Sequence, residues 1–150
     1  MAALSAATFC ASAQDAFPEG DVYIRNVKTG FYLNNGYSWG TKAILKPQAR
    51  AFQLVENSAG DGTVYLKSSL GVLARDNATS GELYCDKPES DLGQFYLEKQ
   101  DNGYYTIDLN GWYLCAENPD QMMSYNPSTD SWESYQNVPH YYDFYPMTGT

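Results

Sequence analysis

The 150-residue chain is poor in basic side chains, with nine Lys and Arg against eighteen Asp and Glu, a formal charge of −9. Phosphate backbones are bound chiefly by Lys and Arg, so this balance excludes nucleic acid as an expected partner. It works equally against adsorption to anionic membranes. Histidine is almost absent: His140 is the single one. That leaves no base and orienting partner for a Ser or Cys nucleophile. Nor is there a His or Cys cluster with metal-ligand spacing, or a Gly-rich phosphate or dinucleotide fingerprint. Asp130 and Glu133 share an aromatic stretch, but no carboxylate spacing marks a glycosidase pair. The chain therefore reads as not an enzyme, with no cofactor and no metal. Beyond the N-terminus no run approaches the ~18 apolar residues of a membrane span, and no window keeps a helical period.

The first thirteen residues differ from the rest. Ala2 to Ala13 carries no charge and ends in Ala11-Ser12-Ala13, a small-x-small signature followed by Gln14-Asp15. Residues 1–13 thus read as the apolar and cleavage regions of a secretory signal without its basic start, and 14–20 as a linker. Export places the domain outside the cell, at its surface or in the periplasm. It also permits a disulfide between Cys85 and Cys115, the cysteines remaining after cleavage. Both lie among strand hydrophobes, so two buried thiols fit as well.

Fourteen tyrosines and three tryptophans favour pleated strands, and one phrase of alternating residues occurs three times. It begins at Val22-Tyr23-Ile24-Arg25, Val64-Tyr65-Leu66-Lys67 and Tyr105-Thr106-Ile107-Asp108. Ile24, Leu66 and Ile107 recur at intervals of 42 and 41 residues, and Phe52 and Phe95 at 43. In each copy a glycine (Gly30, Gly71, Gly111) marks a turn needing positive φ, and a second strand restarts on large hydrophobes. Gly60-Asp61-Gly62 and Asp101-Asn102-Gly103 supply the turns between copies. Three copies of four short strands give the count of a β-trefoil, with six strands closing a barrel and six capping it. The expected domain spans 21–147, with repeats at about 21–62, 63–103 and 104–147. A β-sandwich is the alternative. The expected core is Val22, Ile24, Leu33, Leu45, Phe52, Leu54, Val64, Leu66, Leu73, Leu83, Phe95, Leu97, Ile107, Leu114 and Phe144.

Gly20-Asp21-Val22-Tyr23-Ile24-Arg25-Asn26, Gly30-Phe31-Tyr32-Leu33 and Ser38-Trp39-Gly40-Thr41-Lys42-Ala43 resemble the openings of N-terminal trefoil-type modules in secreted Bacteroidota proteins. The likeness runs over about residues 20–55. More loosely, the repeat is similar to ricin-type and fascin-like trefoils. The resemblance implies an exported accessory module, often with further domains in a longer chain. Ricin-type sugar readers carry Gln-x-Trp near the end of each repeat. The matching places, Arg50-Ala51-Phe52, Gly93-Gln94-Phe95 and Tyr142-Asp143-Phe144, lack it.

Loops on a rigid scaffold carry recognition, and the third copy has a long insert from Asn126 to Tyr141. Its Asp130, Trp132, Tyr135, Gln136 and Asn137, with Tyr125 before it and Tyr37 and Trp39 in the first copy, are the candidate ligand-binding residues. Aromatic faces stack on sugar rings while amides and carboxylates bond hydroxyls. A non-catalytic glycan-binding module is expected. The alternative is a protein-interaction domain, such as a protease inhibitor or surface-assembly module, since Tyr and Trp dominate hot spots.

Overall fold

A computed structural model describes residues 19–36, 40–78, 82–109, 111–118, 121–125 and 141–146. Within them the protein is all-β. The strands are Val22–Asn26 (β1), Tyr32–Gly36 (β2), Lys42–Lys46 (β3), Gln53–Glu56 (β4), Val64–Lys67 (β5), Val72–Arg75 (β6) and Leu83–Lys87 (β7). After a 3-10 turn at Asp91–Gly93 come Tyr96–Lys99 (β8), Tyr105–Leu109 (β9), Trp112–Asn118 (β10), Gln121–Tyr125 (β11) and Tyr142–Pro146 (β12).

Period-two patterning sets these strands. In β1, Val22, Ile24 and Asn26 are buried while Tyr23 and Arg25 are half-buried, as alternation across a pleat requires. β1 ends in a turn that its own sequence builds. The Asn26 Oδ1 accepts from the Thr29 amide and hydroxyl, both at 3.0 Å, and the Gly30 amide donates to the Asn26 carbonyl at 2.8 Å. Gly30, Gly71 and Gly111 all take positive φ, at 75°, 148° and 90°. At Gly71 a Cβ would also stand 2.9 Å from the Lys87 carbonyl oxygen, so close backbone approach reinforces the demand for glycine.

Pairing closes six strands into a circuit. β1 runs antiparallel to β12 over Val22↔Pro146 to Asn26↔Tyr142, and β12 meets β9 at Tyr142↔Tyr105. β9 pairs β8, and Phe95 at the head of β8 bridges Val64 of β5. β5 pairs β4, and Phe52 at the head of β4 bridges Val22 of β1. The remaining strands make three hairpins, β2–β3, β6–β7 and β10–β11. These meet one another: β3 pairs β7 at Lys42↔Tyr84, and β11 lies against both.

The ring encloses the core. Val22, Ile24, Leu33, Leu45, Phe52, Leu66, Leu73, Leu83, Phe95, Ile107 and Leu114 are buried as expected, while Leu54, Val64, Leu97 and Phe144 pack against this cluster only partly buried. The sequence reading omitted Ala43, Cys85, Leu109 and Tyr142, all of which join it. Leu54, Leu97 and Phe144 occupy matching rungs, opposite Leu66, Ile107 and Ile24.

The rungs also correct the alignment of the third copy. Phe52 and Phe95 face Val22 and Val64, and the residue facing Tyr105 in the same role is Tyr142, not Phe144. A shift of two leaves the same face inward, so hydrophobic alternation cannot detect it, and the insert before β12 removes the spacing that would. The matching triplet becomes His140-Tyr141-Tyr142, which also lacks Gln-x-Trp.

Tyr142 is fully buried, and its hydroxyl lies against the Asn26 side chain in a contact that falls short of good hydrogen-bond geometry. An orphaned buried polar atom costs roughly 1–3 kcal/mol. Tyr142→Phe, which restores the Phe of the other two copies, is expected to be neutral or to stabilise by about 1 kcal/mol. Phe95→Ala should cost about 3–5 kcal/mol through the cavity it leaves. Urea denaturation of both variants measures this, and a large loss in Tyr142→Phe would contradict the assignment.

Candidate functional site

The outward positions between successive copies form three seams on the ring. At the same rung stand Gln53 opposite Lys67 (β4–β5), Tyr96 opposite Asp108 (β8–β9) and Asp143 opposite Arg25 (β12–β1). Their neighbours in each strand face the core, so pleating turns these pairs away from it. The backbone place is shared while the chemistry differs.

At the first seam lies a cleft of about 350 Å³ lined by Asp21, Arg50, Ala51, Gln53, Lys67, Ser68 and Ser69. Asp21 precedes β1, Arg50 and Ala51 lead into β4, and Lys67 to Ser69 run from the end of β5 into the turn before β6. The Gln53 Nε2 donates to the Asp21 Oδ1 at 3.1 Å, tying two sides of the cleft together. Arg50 is the brace. Its Nη1 donates to the Ser69 Oγ at 3.0 Å, its Nε donates to the Asn35 Oδ1 on β2, and its amide bonds the Leu33 carbonyl at 3.4 Å. The first hairpin and the second copy's turn are thereby joined through one guanidinium. Lys67 extends toward solvent, its Nζ 3.3 Å from the Glu89 Oε2 with both side chains about half exposed. Such a pair is worth about 0–1 kcal/mol, so Lys67 can exchange Glu89 for a ligand at little cost. The lining offers amide, hydroxyl, carboxylate and cationic groups, a set suited to a ligand rich in hydroxyls or carrying both charges.

The second seam is acidic. Asp108 is 7% exposed, and burial, then the hydrogen bond and charge of Glu98, push its carboxyl up to about 6. Tyr113, opposite Asp108 on β10, is raised by burial, with the charges of Asp108 and Glu98 adding to it. Two carboxyl groups one diagonal apart cannot both ionise without repulsion, and the neutral form is favoured. Nearby, the guanidinium carbon of buried Arg75 sits 3.6 Å from the Trp112 ring centroid, and its Nη2 donates to the Ala78 carbonyl at 3.0 Å. This cation–π contact fastens the second hairpin to the third.

Cys85 and Cys115 are both buried thiols with no bridge between them. Burial pushes the Cys85 thiol up to about 12, and its Sγ approaches the Asn34 carbonyl at 3.7 Å. A thiol held protonated at neutral pH is a poor nucleophile.

Of the candidate residues read from the sequence, Tyr37, Trp39, Asp130, Trp132, Tyr135, Gln136 and Asn137 lie outside the described residues. Tyr125 ends β11 with its backbone opposite Tyr113. The cleft residues were missed. Their signal was present in the repeat itself: Arg25, Lys67 and Asp108 follow Ile24, Leu66 and Ile107, so the recurring phrase already marks the seam position. Among the described residues no group of three or more His, Cys, Asp and Glu could hold a metal ion, and no helix is long and apolar enough to cross a membrane.

No family model matches the chain, and no curated protein sequence matches it. Solved structures do resemble its fold. A complex of lysenin with phosphocholine is similar at a TM-score of 0.64 and 11% identity over 87% of this chain and 46% of that one. A lysenin pore is similar at 0.62 and 12% identity over 86% of this chain and 46% of that one. The chain thus spans just under half the length of these solved chains. At such identities the likeness is one of fold.

The Asp108–Glu98 seam gives a pH signature. A carboxyl whose folded pKa lies above its unfolded value binds protons more tightly in the native state. Stability from this pair is full below the unfolded carboxylate value near ~3.9 and is lost as pH rises through about 6. Denaturation from pH 4 to 7 should show a fall on the order of 1–2 kcal/mol attributable to the pair. Asp108→Asn should flatten this slope and be the more stable form at pH 7. An unchanged slope would contradict the shared proton.

Proposed function

We propose that the chain is a β-trefoil serving as a non-catalytic, ligand-binding module of an exported protein, and that its ligand is a glycan. The trefoil reading is supported by the closed six-strand circuit, the three converging hairpins and the recurrence of Val22–Phe52, Val64–Phe95 and Tyr105–Tyr142 at matching rungs. Two stacked sheets would not require that circuit. Export is supported by the uncharged, alanine-rich start and by the resemblance of residues 20–55 to modules of secreted Bacteroidota proteins.

One observation carries the binding role: the cleft at the first seam, where an amide, two hydroxyls, a carboxylate and two cations converge on one opening. Sugar hydroxyls both donate and accept, and a mixed lining of this kind serves them better than a uniformly charged one. A second reading follows from the same groups and from the neighbouring lysenin complex: Arg50 and Lys67 suit a phosphate and Asp21 an ammonium group, as a zwitterionic phosphocholine would need.

Affinity electrophoresis against soluble β-glucan, xylan, mannan and mucin, with phosphocholine-agarose alongside, tests both. Retardation by one polysaccharide is expected, and Gln53→Ala with Lys67→Ala should weaken it roughly tenfold, about 1.4 kcal/mol. Retention on phosphocholine alone would favour the zwitterionic ligand. No retention by any of these would end the binding reading.

A further inference from the structure

The seam between the first and last strands is furnished differently from the other two. Tyr23 on β1 stands opposite Tyr145 on β12, with ring centroids 5.5 Å apart and planes tilted by 36°. Tyr32 on β2 meets Tyr23 edge to face at 5.3 Å and 85°. The three rings form a row across three neighbouring strands, and Tyr145, at 37% exposure, is among the most exposed large apolar side chains of the described residues. Tyr145 is also fixed in orientation: its hydroxyl donates to the Asp143 Oδ2 at 2.9 Å. The same oxygen accepts from the Arg25 Nη2 at 3.0 Å, and the Arg25 guanidinium lies 5.9 Å from the Tyr145 ring centroid. Both bonds fall on one carboxylate oxygen.

A second observation is independent of the rings. Among the described residues, the Arg25 Nε on the outer side of this seam is a buried donor without a hydrogen-bond partner. It stands at the rung Arg25↔Asp143, beside the carboxylate that the Nη2 of the same guanidinium already engages. Unsatisfied polar groups are rare in native folds and concentrate where function, rather than stability, sets the residue.

We infer that this tyrosine seam is a second carbohydrate site, in which a pyranose ring stacks on Tyr145 and Tyr23 while its hydroxyls bond to Asp143 and Arg25. The inference rests on the glycan reading for its ligand class but on different residues for its site. Stacking uses the apolar face of the sugar against a π-surface. The bidentate-capable guanidinium and the carboxylate beside it supply directed donors and acceptors already held in place, so little side-chain entropy is lost on binding. The two sites lie at matching seams of one ring, so each chain offers a repeating polymer two points of attachment.

Isothermal titration of the whole chain with cellohexaose, laminarihexaose, xylohexaose and mannohexaose tests this, using the wild type, Tyr145→Ser, Tyr145→Phe and the Gln53→Ala/Lys67→Ala cleft variant. Two ligands per chain are expected, falling to one in Tyr145→Ser and in the cleft variant, with Tyr145→Phe keeping its stacking face and most of its affinity. Binding lost in Tyr145→Ser but kept in the cleft variant would support the tyrosine seam and overturn the cleft. Binding that Tyr145→Ser leaves unchanged, with loss confined to the cleft variant, would overturn the inference and leave the cleft reading standing. No binding by any hexaose would overturn the inference, and retention on mucin or phosphocholine would then decide for the cleft alone. Should Tyr145→Ser fail to fold, the wild type still decides. Nitration of Tyr145 by tetranitromethane, mapped by mass spectrometry, must be blocked by the ligand, and undiminished nitration at saturating ligand overturns the site.

Discussion

The pairing of the first strand with the last holds the other strands in place. β1 and β12 are in register over five rungs, while the bridge from Val22 to Phe52 ties β1 on its other side to β4. An isolated four-strand copy has an apolar face with nothing to cover it, and only closure brings the three faces onto one interior. Closure also fixes what the sequence is free to change. Ile24, Leu66 and Ile107 must stay inward because they fill one cavity from three sides, whereas each following residue faces out at a seam. Arg, Lys and Asp can therefore occupy equivalent backbone places without disturbing the interior.

That freedom has been used in three ways. At the first seam a brace built on Arg50 borders a polar cleft whose half-exposed cation, Lys67, is held by a weak surface pair. At the second, Asp108 is drawn under Tyr113 and beside Glu98, and its raised carboxyl takes up a proton, in place of a counter-ion, as pH falls through about 6. At the third, Asp143 satisfies Arg25 directly and a row of tyrosines lies over the pair. Because the scaffold is constant, these contrasts reflect side-chain chemistry alone.

Much of the fold was legible in the sequence because its rules are local. Strand alternation, the three positive-φ glycines and the turns at Gly60 to Gly62 and Asp101 to Gly103 depend on a few consecutive residues. The recurrence near 42 residues exposed the repeat. What was not legible depends on register and on partners distant in the chain. Tyr142 and Phe144 both satisfy the alternation of β12, and only the rung shared with Tyr105 decides between them. Nothing near Asp108 in sequence announces that Glu98 lies one diagonal away. The cleft is illegible for a similar reason: Asp21, Arg50 and Lys67 converge only once β4 is laid against β5, whereas an aromatic loop carries its signal in composition alone.

The third copy departs most from the pattern, and its departures are connected. Where the first two copies place Phe, it places Tyr142, whose hydroxyl enters the core beside the Asn26 amide; in the same strand Asp143 and Tyr145 furnish the exposed seam. Asn26 is committed through its Oδ1 to the turn at Thr29, so it cannot be made apolar without losing that turn, and its Nδ2 must remain inside. A tyrosine opposite is then the large side chain that brings a polar atom toward that amide while still filling the volume of a Phe. The cost of an imperfect match is borne where β1 meets β12, the junction on which closure itself depends.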